Sequence, residues 1–100
     1  MTSTLSTITE ASGATGNRNV TVRYFAGAKA AAGTRSETVS LPSGSTLDDL
    51  VTAIAADHGD ALARVLAASS LLLDEVAVHD RAAPLPEGAV VDVLPPFAGG

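Results

Sequence analysis

The last six residues of the sequence, PPFAGG (residues 95–100), are the stretch whose residue types best suit chemistry. Glycine has no Cβ, so a Gly-Gly end can enter a narrow channel and adopt backbone angles that other residues avoid. Pro95 and Pro96 favour an extended exit, which lowers the entropy lost when the segment docks. An ordinary frayed terminus is the alternative interpretation. We expect residues 95–100 to form a flexible, extended tail whose reactive group is the carboxylate of Gly100.

Two histidines are the only side chains that ordinarily titrate near neutral pH. His58 falls in the last turn of a predicted helix, where the helix dipole favours a cation. His79 precedes Asp80 and Arg81 in a predicted loop. A metal site needs three or four convergent ligands, and neither histidine has a partner at ligand spacing. The sequence therefore predicts no metal site.

Adjacent carboxylates offer no better case for catalysis. Asp48 and Asp49 are explained by the start of a helix, and Asp74 and Glu75 point to different faces of any regular element. The glycine-rich phosphate loops, the dinucleotide-binding motif and the serine nucleophile motif are all missing from the sequence. The chain is therefore expected to have no active site of its own and to bind no cofactor.

Composition limits the remaining possibilities. The chain has 100 residues, which suits one domain, and no cysteine, which excludes disulfides and thiolate chemistry. A net charge of −5 argues against nucleic acid or an anionic membrane as partner, because both attract clustered Lys and Arg. No apolar run is long enough to span a bilayer, and the first residues do not resemble a secretion signal. We expect a cytoplasmic protein.

The N-terminal half of the chain predicts a short tail followed by two strands. Residues 1–18 are rich in Ser, Thr and Gly, and we expect them to be disordered, with a single domain over residues 19–94. NVTVRYFA, at 19–26, alternates as a half-buried strand does. GAKAAAGT is long enough for one or two helical turns, and RSETVSLP, at 35–42, predicts a second strand hairpinned to the first.

The clearest helix signal follows in SGSTLDDLVTAIAADHG (residues 43–59). Ser45 or Thr46 is expected to cap the helix, and Gly59 to end it. One apolar stripe runs along it, formed by Leu47, Leu50, Val51, Ile54 and Ala55. Such a stripe must cover a sheet.

The rest of the sequence predicts a short second helix, short strands around residues 71–78 and a last strand over residues 89–94. A hairpin, one main crossing helix and later strands make an α+β fold. A right-handed crossover sets the last strand beside the first and parallel to it. This is the β-grasp (ubiquitin-like) arrangement, with a mixed sheet and the Gly-Gly tail leaving from its middle.

Four segments together resemble a known family. They are VRYFAGAKAAAGT, STLDDLVTAI, LPEGAVVDVLPPFAGG and the closing Gly99-Gly100. The chain is similar, from Asn19 to Gly100, to the small subunit of molybdopterin synthase. That subunit belongs to the ubiquitin-like sulfur carriers and is related to the sulfur carrier of the thiamin pathway.

The resemblance implies a specific chemistry at the tail. A ubiquitin-activating-like adenylyltransferase would use ATP to adenylate the Gly100 carboxylate, and a sulfur donor enzyme would convert it to a thiocarboxylate. The large subunit of the synthase would accept the tail, forming a heterotetramer. There the sulfur would pass to cyclic pyranopterin monophosphate to build molybdopterin, in molybdenum cofactor biosynthesis. Whether the chain counts as an enzyme stays open, since it would act as the sulfur-donating subunit of a sulfurtransferase complex.

The resemblance also implies which residues matter. Gly100 and Gly99 would carry the chemistry, and the partner-binding residues would be Phe25, Pro95, Pro96, Phe97 and Ala98. Three other functions stay open at this point. The chain could carry sulfur for thiamin or cysteine biosynthesis, it could be a ubiquitin-like protein modifier, or it could be a β-grasp binding module whose tail is irrelevant.

Overall fold

The computed structural model describes residues 16–96 of the chain. They form one five-stranded sheet with three helices on one of its faces. In chain order, the elements are β1 (Asn17–Tyr24), α1 (Gly27–Ala32), β2 (Ser36–Pro42), α2 (Leu47–His58), α3 (Asp60–Ala68), β3 (Ser70–Leu73), β4 (Val76–Ala77) and β5 (Val90–Leu94). No helix among the described residues combines the length and the apolar character needed to cross a membrane.

The sheet has the strand order β2-β1-β5-β3-β4, which places the last strand in the middle. β1 pairs with β2 antiparallel and with β5 parallel, as the right-handed crossover predicts. β5 also pairs with β3 antiparallel, so both of its edges are hydrogen-bonded. The predicted α+β β-grasp fold, with a mixed sheet and one main crossing helix, is therefore confirmed.

Some boundaries differ from those predicted. β1 begins at Asn17, two residues before the expected start, and ends at Tyr24 rather than at Ala26. The earlier end has a local cause: Ala26 takes a φ of 50°, which no strand residue adopts, and turns the chain into α1. Residues 1–15, most of the predicted disordered tail, lie outside the described residues.

Helix α2 starts where the sequence predicts. Thr46 is the N-cap, and its hydroxyl accepts a hydrogen bond from the Asp49 backbone N–H at 3.2 Å. In return, the Asp49 carboxylate accepts the Thr46 backbone N–H at 2.8 Å, which completes a capping box. The helix ends before Gly59, whose φ of 96° suits glycine.

The core lies between the sheet and the helices and is built mainly from aliphatic side chains. Helix α2 contributes Leu47, Leu50 and Ile54, as the apolar stripe predicts. The buried apolar residues are Val20, Val22, Tyr24, Ala28, Leu41, Leu47, Leu50, Ile54, Leu62, Leu66, Leu71, Leu85, Ala89, Val91 and Val93. Because alternate strand residues face alternate sides, this core fixes which side chains lie on the other face of the sheet.

Candidate functional site

The end of β5 is where the chain leaves the sheet. Val93 pairs with Tyr24 of β1 and Leu71 of β3, and Leu94 pairs with Ser70 of β3. After this strand, Pro95 is half-buried and Pro96 is exposed. The last strand thus gives the two prolines a base that is hydrogen-bonded on both sides. Residues 97–100, which include the predicted Phe97, Ala98, Gly99 and Gly100, lie outside the described residues, and their roles stay predictions.

Phe25 lies beside this exit. Its backbone N–H donates to the carbonyl oxygen of Val93 at 3.3 Å, which continues the pairing of β1 with β5 by one residue. Its side chain is 41% exposed, unusual for a large apolar residue. The structure therefore brings together three of the predicted partner-binding residues, Phe25, Pro95 and Pro96, at one end of the sheet.

The sheet face opposite the helices carries the alternate side chains of the central strands. Since Val22 and Val91 point into the core, Arg23 and Asp92 must point outward. The same register places Leu72 of β3 opposite Asp92, and Leu94 two pairs further along. We call the part of this face around Asp92 and the chain exit the open face; it comprises Arg23, Phe25, Leu72, Val90, Asp92 and Leu94.

An ion pair occupies the middle of the open face. Arg23 Nε donates to Asp92 Oδ1 at 2.6 Å, and Arg23 Nη2 donates to Asp92 Oδ2 at 2.8 Å. The hydrogen bond and the charge of Asp92 raise the pKa of the Arg23 guanidinium. The Asp92 side chain is only 7% exposed, whereas that of Arg23 is 43% exposed. The arginine thus covers the carboxylate and presents its own outer edge to solvent.

The turn from β3 to β4 borders the open face. Asp74 and Glu75 have φ values of 48° and 73°, as the two central residues of a type I′ turn do. Asp74 is held in place by β5: its backbone N–H donates to Val90 O at 2.8 Å, and its Oδ1 accepts the Val90 N–H at 2.9 Å. A cavity of about 320 Å³ opens here, lined by Arg23, Asp74, Glu75 and Val90.

A second cavity of about 430 Å³ lies along helix α1 and the turn that follows it. Lys29 and Arg35 both line it, together with Ala26, Ala30, Gly33 and Thr34. Two cations in one concavity contrast with the net charge of −5 over the whole chain. Two cationic side chains in one cavity favour an anionic group there.

A hydrogen-bonded cluster at the boundary of the core joins three elements. The Tyr24 hydroxyl donates to Glu37 Oε2 at 2.5 Å, and His58 Nε2 lies 2.6 Å from the same oxygen. Burial raises the pKa of the Tyr24 hydroxyl, and the nearby Glu37 carboxylate adds to this. Burial by itself raises the pKa of Glu37, but the hydrogen bonds from Tyr24 and His58 outweigh it, so the Glu37 pKa is lowered.

Asp57 extends this cluster, because its Oδ2 lies 3.9 Å from His58 Nε2. Glu37, Asp57 and His58 thus place three potential metal-ligand atoms within 4.8 Å of one another. This grouping is not apparent in the sequence, because β2 supplies Glu37 and α2 supplies Asp57 and His58. The short hydrogen bonds to Glu37 explain why these atoms lie close together. We therefore interpret the cluster as a structural contact that holds β1, β2 and α2 together.

Comparison with known proteins identifies the family. The sequence model of the ThiS family matches residues 22–100. No curated protein matches the chain. Among solved structures, a putative molybdopterin converting factor subunit 1 from Pyrococcus furiosus is 25% identical, with a TM-score of 0.69, over 80% of this chain and 99% of that one.

Two further structures are similar. One is a protein–protein complex of subunits 1 and 2 of the molybdopterin-converting factor from Helicobacter pylori. Its matching chain is 26% identical to this chain, with a TM-score of 0.60, and the match covers 82% of this chain and 99% of that one. The other is small archaeal modifier protein 1 from H. volcanii, which shares the fold with a TM-score of 0.71. It is 22% identical to this chain, and the match covers 80% of this chain and 99% of that one. The chain therefore belongs to the ThiS family and has the fold of the ubiquitin-like sulfur carriers.

Proposed function

We propose that this chain is the sulfur-carrying small subunit of a molybdopterin synthase. The Gly100 carboxylate attacks ATP in the activating enzyme, pyrophosphate leaves, and an acyl adenylate forms. A sulfide equivalent from a sulfur donor enzyme then displaces AMP and leaves a thiocarboxylate. In the large subunit of the synthase, that thiocarboxylate donates its sulfur to cyclic pyranopterin monophosphate. Adenylation makes the second step possible, because AMP is a far better leaving group than an oxide when the sulfide equivalent attacks the Gly100 carbonyl carbon.

One observation carries the proposal. The chain leaves the central strand of the sheet at Pro95 and Pro96, directly beside the exposed Phe25. A tail that must reach a partner's active site needs a rigid base and an adjacent surface on which the partner can dock. The central position of β5 supplies the base, and Phe25 with the open face supplies the surface.

Membership of the ThiS family supports sulfur carriage in general. The two molybdopterin converting factor subunits at 25% identity or more favour the molybdenum cofactor over other sulfur pathways. Since one of them is solved with its subunit 2, we propose a large-subunit partner for this chain as well. A heterotetramer of two small and two large subunits is part of the same proposal.

Intact mass spectrometry tests the chemistry directly. The chain is incubated with the activating enzyme, ATP and a sulfur donor, and a variant lacking Gly100 serves as the matched control. We expect the wild-type mass to rise by the difference between sulfur and oxygen, and the variant mass to stay unchanged. A wild-type chain that instead becomes joined to lysines of other proteins would establish a protein modifier.

Binding to the large synthase subunit tests the pathway and the docking surface together. Phe25→Ala is expected to weaken this binding about tenfold or more, because an exposed aromatic beside the tail is the kind of residue that dominates interfaces. Val76→Ala is the matched control, since Val76 is also apolar, is 68% exposed and lies on the edge strand β4. Equal losses in both variants would contradict a specific role for Phe25.

A further inference from the structure

Among the residues that the structure describes, the ion pair on the open face leaves some Arg23 hydrogen-bond donors without an acceptor. A guanidinium has five N–H donors, and Asp92 takes one from Nε and one from Nη2. Within residues 16–96, the Arg23 side chain has no other hydrogen-bond acceptor. Water can satisfy the remaining donors while the face is free, since the Arg23 side chain is 43% exposed. A partner that covers this face removes that water.

The cavity beside Arg23 has walls of opposite hydrogen-bonding character. Arg23 contributes donors to the lining, and the carboxylates of Asp74 and Glu75 contribute acceptors. The type I′ turn and its two hydrogen bonds to Val90 hold the acidic wall in place. At about 320 Å³ the cavity has room for an inserted side chain or a peptide segment.

The charges of these walls decide which group fits. An apolar group would leave the donors of Arg23 buried and unsatisfied, which is costly. A carboxylate would pair with Arg23 but would also face Asp74 and Glu75, and a cation would face Arg23 itself. A neutral amide avoids both conflicts, because its oxygen accepts from the guanidinium while its N–H donates to a carboxylate.

We propose that the partner covering the open face inserts an amide into this cavity, either an Asn or Gln side chain or an exposed peptide group, and that Arg23 thereby helps select the partner. This inference rests on the proposed function, because it takes the large synthase subunit to dock on the open face. The Arg23–Asp92 pair then acts as a recognition element beside the apolar side chains of Phe25, Leu72 and Leu94.

The test compares binding with stability in the same variants. Arg23→Met combined with Asp92→Leu replaces the ion pair by apolar groups of similar size, a change that often leaves stability equal or higher. We expect this double variant to bind the purified large subunit about tenfold more weakly or worse in calorimetry, because the partner amide loses its hydrogen bond. Its urea midpoint should be no lower than that of wild type. Arg64→Met, on the exposed side of α3, is the control and should bind as wild type does.

A second variant and an NMR measurement distinguish a loss of binding from a loss of folding. Arg23→Lys keeps the charge but not the planar fork of donors, and we expect it to fold and to bind with intermediate affinity. In wild type, the NMR signal of the Arg23 side-chain N–H groups should shift and become protected from exchange when the large subunit binds.

Unchanged or tighter binding by the Arg23→Met/Asp92→Leu variant would overturn the inference and leave the proposed function standing. So would an unshifted Arg23 side-chain signal in a formed complex. If wild type itself fails to bind the large subunit, the assignment to molybdopterin synthesis fails, and the inference fails with it.

Discussion

Replacing Tyr24 with Phe should destabilise the fold by removing one hydrogen bond at the boundary of the core. The Tyr24 ring is buried, and its hydroxyl donates to Glu37 Oε2 at 2.5 Å. Phe keeps the ring and its packing, including the edge-to-face contact with His58 at 6.0 Å between centroids. The substitution therefore isolates the hydroxyl. Glu37 retains its contact with His58 and loses only one of its two partners.

The magnitude follows from the exposure of the acceptor. A hydrogen bond to a charged group contributes about 1.5–3 kcal/mol to stability when water is excluded. The Glu37 side chain is 25% exposed, so water partly replaces the lost donor. We expect a loss of about 1–2 kcal/mol in the free energy of unfolding at pH 7. For a domain of this size, that loss lowers Tm by about 5–10 °C.

The effect should depend on pH in one direction. The folded-state pKa of Glu37 is lowered, so its carboxylate contributes stability that is fully present above the unfolded pKa of about 4.3. That stability is lost as the pH falls through the lower folded-state pKa. The Tyr24 hydroxyl bonds the carboxylate more strongly than the neutral acid. The difference between wild type and Tyr24→Phe should therefore be full at pH 7 and smaller at an acidic pH below the lowered folded-state pKa of Glu37.

Urea unfolding followed by far-UV circular dichroism at both pH values measures this difference. Fluorescence is unsuitable, because the chain has no tryptophan and Tyr24 is its only tyrosine. Glu37→Gln provides the double-mutant cycle, since the coupling between the two positions should account for most of the loss. An equal loss at pH 7 and at that acidic pH, or no coupling with Glu37, would refute the role given to this hydrogen bond.

Substitutions at three further positions test the local structure by urea unfolding. Thr46→Ala should cost about 1 kcal/mol, because it removes the N-cap acceptor of Asp49 N–H, and Thr46→Ser should restore most of it. Leu50→Ala should cost about 2–5 kcal/mol, since Leu50 is fully buried between α2 and the sheet; a loss below 1 kcal/mol would contradict the packing. Glu75→Gly should stabilise by about 0.5–1 kcal/mol, because Glu75 has a φ of 73°, and destabilisation would speak against the type I′ turn.

The parts of the fold that depend on neighbouring residues were predictable from the sequence. Helix α2 is the clearest case: the cap at Thr46, the apolar stripe and the end at Gly59 all act within a few residues of one another. The parallel pairing of β1 with β5 also followed, because the handedness of crossovers leaves few alternatives. From that pairing came the central position of the strand that leads into Pro95 and Pro96.

Contacts between distant residues were not predictable in the same way. Glu37 and His58 come from β2 and α2, and although the apolar stripe sets which side of α2 faces the sheet, it does not set which strand the end of the helix lies over. Their hydrogen bond therefore appears only once the core is packed. Likewise, the sequence did not predict that Lys29 and Arg35 line one cavity at the end of α1.

The position of Asp92 within an apolar run is explained only once the register of β5 is known. Asp92 interrupts an apolar run, VVDVL, and a shift of β5 by one residue would turn its carboxylate into the core. Burying an unpaired carboxylate there is far costlier than pairing it with Arg23 on the open face. The ion pair thus helps to fix the register of the strand that carries the tail. The same two residues that set this register also mark the surface on which we propose that the partner docks.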